Sequence, residues 1–162
     1  FRRVLFRSVT PDRIEAGTYL LAGVATGGDV QVVGAVPEHL DSLVAKLREA
    51  NVAVEPFEGG IRVSRNGPFE AVQLQAVPYP GFATDLHAPM AAALTQARGV
   101  SIIHERVYDN RMNYVSELRS MGARMTTGGQ SVMIEGPTPL IGTPVRAHDV
   151  RAGAAEIGRA HV

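Results

Sequence analysis

Cysteine is absent from the 162-residue sequence, which excludes disulfides and thiolate metal sites. The five histidines are scattered without ligand spacing, so neither a metal site nor a cofactor is expected. An excess of either charge is lacking too. The formal net charge is zero, which gives no electrostatic case for nucleic acid or an anionic membrane as partner. No apolar run reaches bilayer-spanning length, and no stretch has the layout of a signal peptide. What is present is 45% hydrophobic and 20% charged, the composition of a globular chain. The length suits one domain, or one lobe of something larger.

The two ends read differently from the middle. Phe1 to Ser8 contains Val-Leu-Phe-Arg-Ser, and Glu156 to Val162 reads Glu-Ile-Gly-Arg-Ala-His-Val. Both are what a common sequencing-library adapter gives when translated in its two orientations. Residues 1–8 and 156–162 are therefore expected to be non-native tails flanking a domain over 9–155.

Within that domain the hydrophobic pattern alternates between helix and strand periods. Asp12 caps a helix running to Ala25, with Ile14, Leu21 and Val24 near one face and Gly27-Gly28 ending it. Asp29 to Val36 reads as a strand. Pro37-Glu38 opens a second helix whose Leu40, Leu43, Val44 and Leu47 stand at the spacing of a buried face. Val52–Pro56 and Ile61–Ser64 form a hairpin around Gly59-Gly60. Phe69 to Val77 is a further strand with Val72, Leu74 and Ala76 alternating. The order then recurs: helix Asp85–Ala97, strand Val100–Glu105, helix Arg111–Met121, then a hairpin of Arg124–Thr127 and Val132–Glu135 around Gly128-Gly129. Val145 to Ala147 starts another strand.

The recurrence is a repeat. Leu47-Arg48 falls on Leu118-Arg119 at an offset of 71 residues, which also sets Val44 on Val115, Gly28 on Gly99 and Val36 on Val107. Asp149-Val-Arg-Ala echoes Asp85-Leu-His-Ala and opens a third copy. Units of this size bury their faces against one another. The expected fold class is α+β, built from about two βαβαββ-like units plus the start of a third.

Chemistry concentrates in Tyr79 to Met90, Tyr-Pro-Gly-Phe-Ala-Thr-Asp-Leu-His-Ala-Pro-Met. Pro80-Gly81 breaks the strand pattern, and Thr84 or Asp85 then stands where a helix N-cap stands. On its own that reads as a cap. The stretch also resembles the Tyr/His-Pro-x-Phe-Pro-Thr-Asp-x-Gln segment of UDP-N-acetylglucosamine 1-carboxyvinyltransferases, the enolpyruvyl transferases of peptidoglycan synthesis. Ala83 replaces the usual proline and His87 the usual glutamine. Val107-Tyr-Asp-Asn-Arg111 is similar to the family's Ile/Val-Phe-Glu-Asn-Arg, and Asp149-Val-Arg151-Ala-Gly to its Thr-Asp-Leu-Arg-Ala. Asp12-Arg-Ile-Glu-Ala-Gly-Thr and Leu43-Val-Ala-Lys-Leu-Arg-Glu-Ala match it as well.

The resemblance implies an inside-out α/β barrel lobe, of three units in the complete family fold. It implies transfer of the enolpyruvyl group of phosphoenolpyruvate to the 3-hydroxyl of UDP-N-acetylglucosamine with release of phosphate, in the bacterial cytoplasm, as the first committed step of peptidoglycan synthesis. Cell-wall biogenesis, cell shape and cell division would follow from that step. Asp85 matches the active-site aspartate, and a carboxylate there answers the need to deprotonate the attacking hydroxyl. Arg111 and Arg151 match the arginines that grip the donor's carboxylate, a task suited to guanidinium forks; both are expected at helix starts, and surface salt bridges are their plainer role. Asp149 would orient Arg151, handle a proton or cap a helix. Val107 and Tyr108 match positions lining the UDP-sugar site, or else are strand-end packing. Thr84 would donate to substrate or cap, and His87 would stand behind Asp85. The partners implied are both substrates and a second lobe of the same enzyme, which carries the family's reactive cysteine. Without that lobe the chain is expected to be inactive. Two alternatives stay open. One is an enzyme like the sister 3-phosphoshikimate 1-carboxyvinyltransferase. The other is a non-catalytic repeat-built binding module, with the three charged residues scattered over different faces.

Overall fold

The Asp12 carboxylate accepts a hydrogen bond from Ile14 N at 2.8 Å, satisfying one of the N–H groups a helix start leaves unpaired. Helix α1 runs Arg13–Thr26 and ends at Gly27, whose φ of 70° is the left-handed conformation of a C-cap. The computed structural model describes residues 9–147. The expected tails, Asp149 and Arg151 lie outside the described residues.

After β1 (Asp29–Val33), a 3-10 turn at Pro37–Leu40 leads into α2 (Asp41–Glu49), and Leu40, Leu43, Val44 and Leu47 are buried as their spacing predicts. Strands β2 (Ala53–Phe57) and β3 (Gly60–Ser64) form the expected hairpin, and β1 adds to the other side of β3. Gly60 is required there, because a Cβ would strike the Val32 carbonyl.

The second unit has β4 (Gln73–Ala76), a 3-10 turn at Thr84–Leu86, α3 (His87–Leu94), β5 (Gly99–Glu105), α4 (Tyr114–Ser120), β6 (Arg124–Gly128) and β7 (Ser131–Gly136). Its sheet order is β4-β5-β7-β6, and the first sheet's is β1-β3-β2. Removing β4 leaves two sheets of one topology, each entered from a helix and each antiparallel. The repeat read at an offset of 71 is therefore a repeat of structure.

Every residue of α3 is buried, as expected for a helix apolar on all sides. It packs against α1 on one side and β5 and β7 on the other, so helices form the inside and sheets the outside. Within the described residues no helix is long and apolar enough to cross a membrane.

Five expected elements differ, the first being the strand expected over Asp29–Val36, which stops at Val33. The strand Phe69–Val77 is confined to Gln73–Ala76, because Phe69 and Ala71 bond individually with the Arg98 backbone before the sheet begins. Helix α3 stops at Leu94, and Thr95 to Ala97 turn away. Helix α4 starts at Tyr114, so Arg111 lies in the preceding loop and not at a helix start. Val145 to Ala147 form no strand with any described residue.

Candidate active site

Strand β4 is parallel to β5, with Ala76 opposite Glu105. Both strands therefore stop at the same edge, and the loops that follow them lie side by side. In open sheets this carboxyl edge is where ligands collect. Residues 77–86 come from β4 and residues 106–113 from β5. The first loop closes on itself through Val77 N to Phe82 O at 3.1 Å and Gly81 N to Pro78 O at 2.9 Å. Gly81 is needed because a Cβ would collide with the Val77 side chain. The second loop turns at Asn110, whose φ of 58° is a conformation asparagine tolerates better than most residues.

The two loops meet through charge. Arg111 Nη2 donates to Asp85 Oδ1 at 2.7 Å, and Arg111 Nη1 donates to Thr84 Oγ1, also at 2.7 Å. The side chains are 14% and 27% exposed for Arg111 and Asp85, so the pair is partly shielded but open to a ligand. The guanidinium carbon lies over the Tyr108 ring, 5.1 Å from its centroid, a cation–π contact. Neither Thr84 nor Asp85 caps a helix. The residue at the cap position is Ala83, with no side-chain bond. The plain N-cap reading of Asp85 is therefore overturned.

Beneath this pair lies a charged residue that the sequence reading passed over. Glu105, 1% exposed, accepts Thr84 Oγ1–H at 2.6 Å and Val107 N–H at 2.8 Å, with Tyr108 N at 3.4 Å. Its signal was available. The inward positions of β5 are Ser101, Ile103 and Glu105, and a carboxylate on the buried face of an alternating strand needs partners. Val107 is thus held through its backbone, while the Tyr108 side chain is 57% exposed.

His87 does not touch Asp85 in any hydrogen bond the structure shows. It is 1% exposed, with Nδ1 at 3.5 Å from Glu105 Oε2 and Nε2 at 3.3 Å from the Tyr114 hydroxyl. The Tyr114 ring meets it edge-on. Burial pushes its pKa down from 6.5 to about 4, opposed by Glu105 and reinforced by Arg111, so the ring is neutral at pH 7. Burial also raises the Tyr114 hydroxyl, and Glu105 adds to that.

A stability effect follows from the lowered histidine. Above pH 6.5 both folded and unfolded chains hold it neutral. Between pH 6.5 and 4 only the unfolded chain is protonated there, so stability falls with pH by up to about 3 kcal/mol. His87→Gln removes the titration. Urea unfolding at pH 7 and pH 4 should show the wild type losing more stability than the variant; parallel losses would overturn the assignment.

A cavity of about 680 Å³ opens beside the loop, lined by Tyr108, Arg111, Met112 and Arg119 among others. Among the described residues, no group of three or more His, Asp or Glu is placed to hold a metal. The first unit carries no such pair. At the offset of 71, Gly34 stands at the Glu105 position and Leu40 at that of Arg111.

Residues 5–157 match the family model described as EPSP synthase (3-phosphoshikimate 1-carboxyvinyltransferase). The chain belongs to this family. Within the EPSP synthase family it is similar to UDP-N-acetylglucosamine 1-carboxyvinyltransferase 3 of Caldanaerobacter subterraneus subsp. tengcongensis, at 49% identity over 150 residues, 93% of this chain and 36% of that protein. It is also similar to the UDP-N-acetylglucosamine 1-carboxyvinyltransferase of Desulfofundulus thermocisternus, at 46% identity, with 91% of this chain and 61% of that protein covered. In fold it matches the enolpyruvyl transferase NikO from Streptomyces tendae, with a TM-score of 0.85 at 24% identity, over 95% of this chain and 37% of that one. The α+β architecture of paired units is thus the enolpyruvyl transferase lobe. The chain spans only about a third of the length of the first relative.

Proposed function

We propose that this chain is part of an enzyme that transfers the enolpyruvyl group of phosphoenolpyruvate to the 3-hydroxyl of UDP-N-acetylglucosamine. The observation that carries the reading is the Asp85–Arg111 pair at the shared edge of β4 and β5. The names of relatives at 49% and 46% identity support the choice of acceptor.

Asp85 takes the proton of the acceptor hydroxyl as its oxygen bonds to C2 of phosphoenolpyruvate. The double-bond electrons move to C3, which takes up a proton. The bond from C2 to the phosphate's bridging oxygen then breaks as C3 loses a proton, which restores the double bond and releases phosphate. A guanidinium has five N–H donors, and Arg111 directs two to Thr84 and Asp85. Its remaining donors meet the donor's carboxylate. Arg151 supplies a second guanidinium, and Asp149 orients it or handles a proton. Thr84, Val107 and Tyr108 contact the UDP-sugar. A second lobe of the same enzyme closes over the site and excludes water. The step belongs to peptidoglycan synthesis in the bacterial cytoplasm, and so to cell-wall growth and division. The meeting of Asp85 and Arg111 favours this reading over a repeat-built module without catalysis.

The family description names the shikimate acceptor, so the test offers both. Residues 9–155 are grafted in place of the matching segment of the Caldanaerobacter relative, and separately into a 3-phosphoshikimate 1-carboxyvinyltransferase. Phosphate release is measured with phosphoenolpyruvate and each host's acceptor. Turnover is expected in the first graft and not in the second. The reverse pattern, or inactivity of both as folded proteins, would sink the reading.

A further inference from the structure

We propose that Glu105 is a positioning residue for Asp85 and Arg111, acting as the fixed acceptor from which a one-way chain of hydrogen bonds sets the arginine fork. The inference rests on the reading of Asp85 and Arg111 as reacting groups.

The carboxylate joins the two loops from beneath. Oε1 takes the Val107 N–H, with Tyr108 N at longer range, and so holds the loop after β5. Oε2 takes the Thr84 hydroxyl proton and so holds the turn bearing Asp85. A hydroxyl has one proton. Because Thr84 gives it to Glu105, its oxygen is left to accept from Arg111 Nη1. The direction therefore runs from Arg111 to Thr84 to Glu105, and the second arm of the fork lands on Asp85.

A second branch reaches the same oxygen. His87 Nδ1 is buried and makes no hydrogen bond, with Glu105 Oε2 at 3.5 Å. A lone pair facing a carboxylate at that range is repelled, whereas an N–H is attracted. The ring proton is therefore assigned to Nδ1. Nε2, 3.3 Å from the Tyr114 hydroxyl, is then the acceptor of that contact, and a ring nitrogen is a stronger acceptor than the other group the hydroxyl reaches, the Met112 thioether at 3.9 Å. Glu105 thus sets the tautomer of a histidine and the orientation of a hydroxyl at once. Both are groups that could face either way without it.

Glu105→Gln tests this with little change of shape. The Val107 and Tyr108 N–H groups cannot invert, so the amide oxygen stays with them. The NH₂ then faces Thr84 and His87, which can invert. The histidine proton moves to Nε2, and Thr84 Oγ1 meets a new donor that competes with Arg111.

Two measurements read the outcome. Ring ¹⁵N shifts of His87 in the 162-residue chain should show the Nδ1–H form, and the Nε2–H form in Glu105→Gln. These need no substrate, so they judge the inference even if the transferase reading fails. An Nε2–H ring in the wild type, or an unchanged tautomer in the variant, overturns it. In the active graft, Glu105→Gln should lower kcat by about 10- to 100-fold, the scale of losses from displaced supporting groups. Should that variant not fold, Thr84→Val and Thr84→Ser decide. Valine breaks the chain at the hydroxyl and should lower kcat similarly, whereas serine keeps the hydroxyl and should lose less. Because Thr84 also contacts the sugar, both are compared at saturating acceptor and any change in KM is read separately. Equal turnover of the valine and serine variants overturns the proposal. An inactive wild-type graft sinks the transferase reading and leaves the spectra to decide this one.

Discussion

Asp85→Asn in the active graft should lower turnover by roughly 10²- to 10⁴-fold, the usual cost of losing a general base. An amide cannot take the hydroxyl proton at neutral pH. The fold should survive, because nothing local depends on this carboxylate as a cap. The 3-10 turn around it is held by Leu86 N to Ala83 O at 3.0 Å. Asn can still accept from Arg111 Nη2, so the loss is one of charge and not of the contact. The expected stability change is about 1–2 kcal/mol, the range for weakening a hydrogen bond to a charged group. Turnover and urea midpoint of the variant, measured together, separate the two effects. A folded variant with near-normal turnover would remove Asp85 from the reacting groups and leave it as the partner that holds Arg111.

The largest loss of stability is expected inside α3. Leu94 has no exposure, and the helix that bears it has no solvent face. Leu94→Ala should cost about 2–5 kcal/mol, with the spread set by how far neighbours can close the hole. Closure is restricted here. Gly136 packs flush against the carbonyls of Ala97, Thr95 and Leu94. Thr138 N bonds Thr95 O at 2.8 Å, and Gln96 Nε2 bonds Thr138 O at the same distance. The end of the helix is tied to the end of β7 and cannot slide inward. A value in the upper half of the range follows, a large share of the 5–15 kcal/mol that holds a typical domain. The check is a fall in urea midpoint at constant slope. A loss under 1 kcal/mol would mean that the core collapses around the vacancy.

The elements that the sequence made legible are those decided by local chemistry. Asp12 and Gly27 mark both ends of α1 because a cap and a left-handed glycine are nearest-neighbour effects. The stripe of Leu40, Leu43, Val44 and Leu47 reports burial because helix geometry alone puts it on one face. The offset of 71 exposed the common topology of the two sheets, since matched glycines and apolar positions carry the same connections. Family resemblance singled out Asp85 and Arg111, and the fold brings them to 2.7 Å.

What escaped was decided at a distance. The periodicity through Val115, Leu118 and Met121 continues back toward Arg111, yet the helix waits until Tyr114. Asn110 turns the chain there, and Arg111 is engaged by residues 26 and 27 positions earlier. Thr84 looked like a cap because its type favours caps. Its hydroxyl instead lies between an arginine and a buried glutamate, neither visible from its own neighbours. His87 was placed beside Asp85 by adjacency in sequence, but a helix turns its third residue elsewhere, and the ring goes inward to Glu105 and Tyr114. Asp149 and Arg151 lie beyond the described residues, so their part stays with the resemblance.

The duplicated topology offers a comparison inside one molecule. In the first unit the link from strand to helix passes through Gly34 and Val36 straight into a 3-10 turn, with no charged pair beneath it. In the second the link has the same number of residues, since the offset of 71 holds on both sides of it, but it turns at Asn110 and carries Arg111 in place of the 3-10 turn, and the sheet behind it is unaltered. Both versions sit on one scaffold, so the course of this link and the residues it carries are not what the sheets require. New chemistry can be added to such a repeat, or taken away, at one connection, while the layers that hold the fold together go on as before.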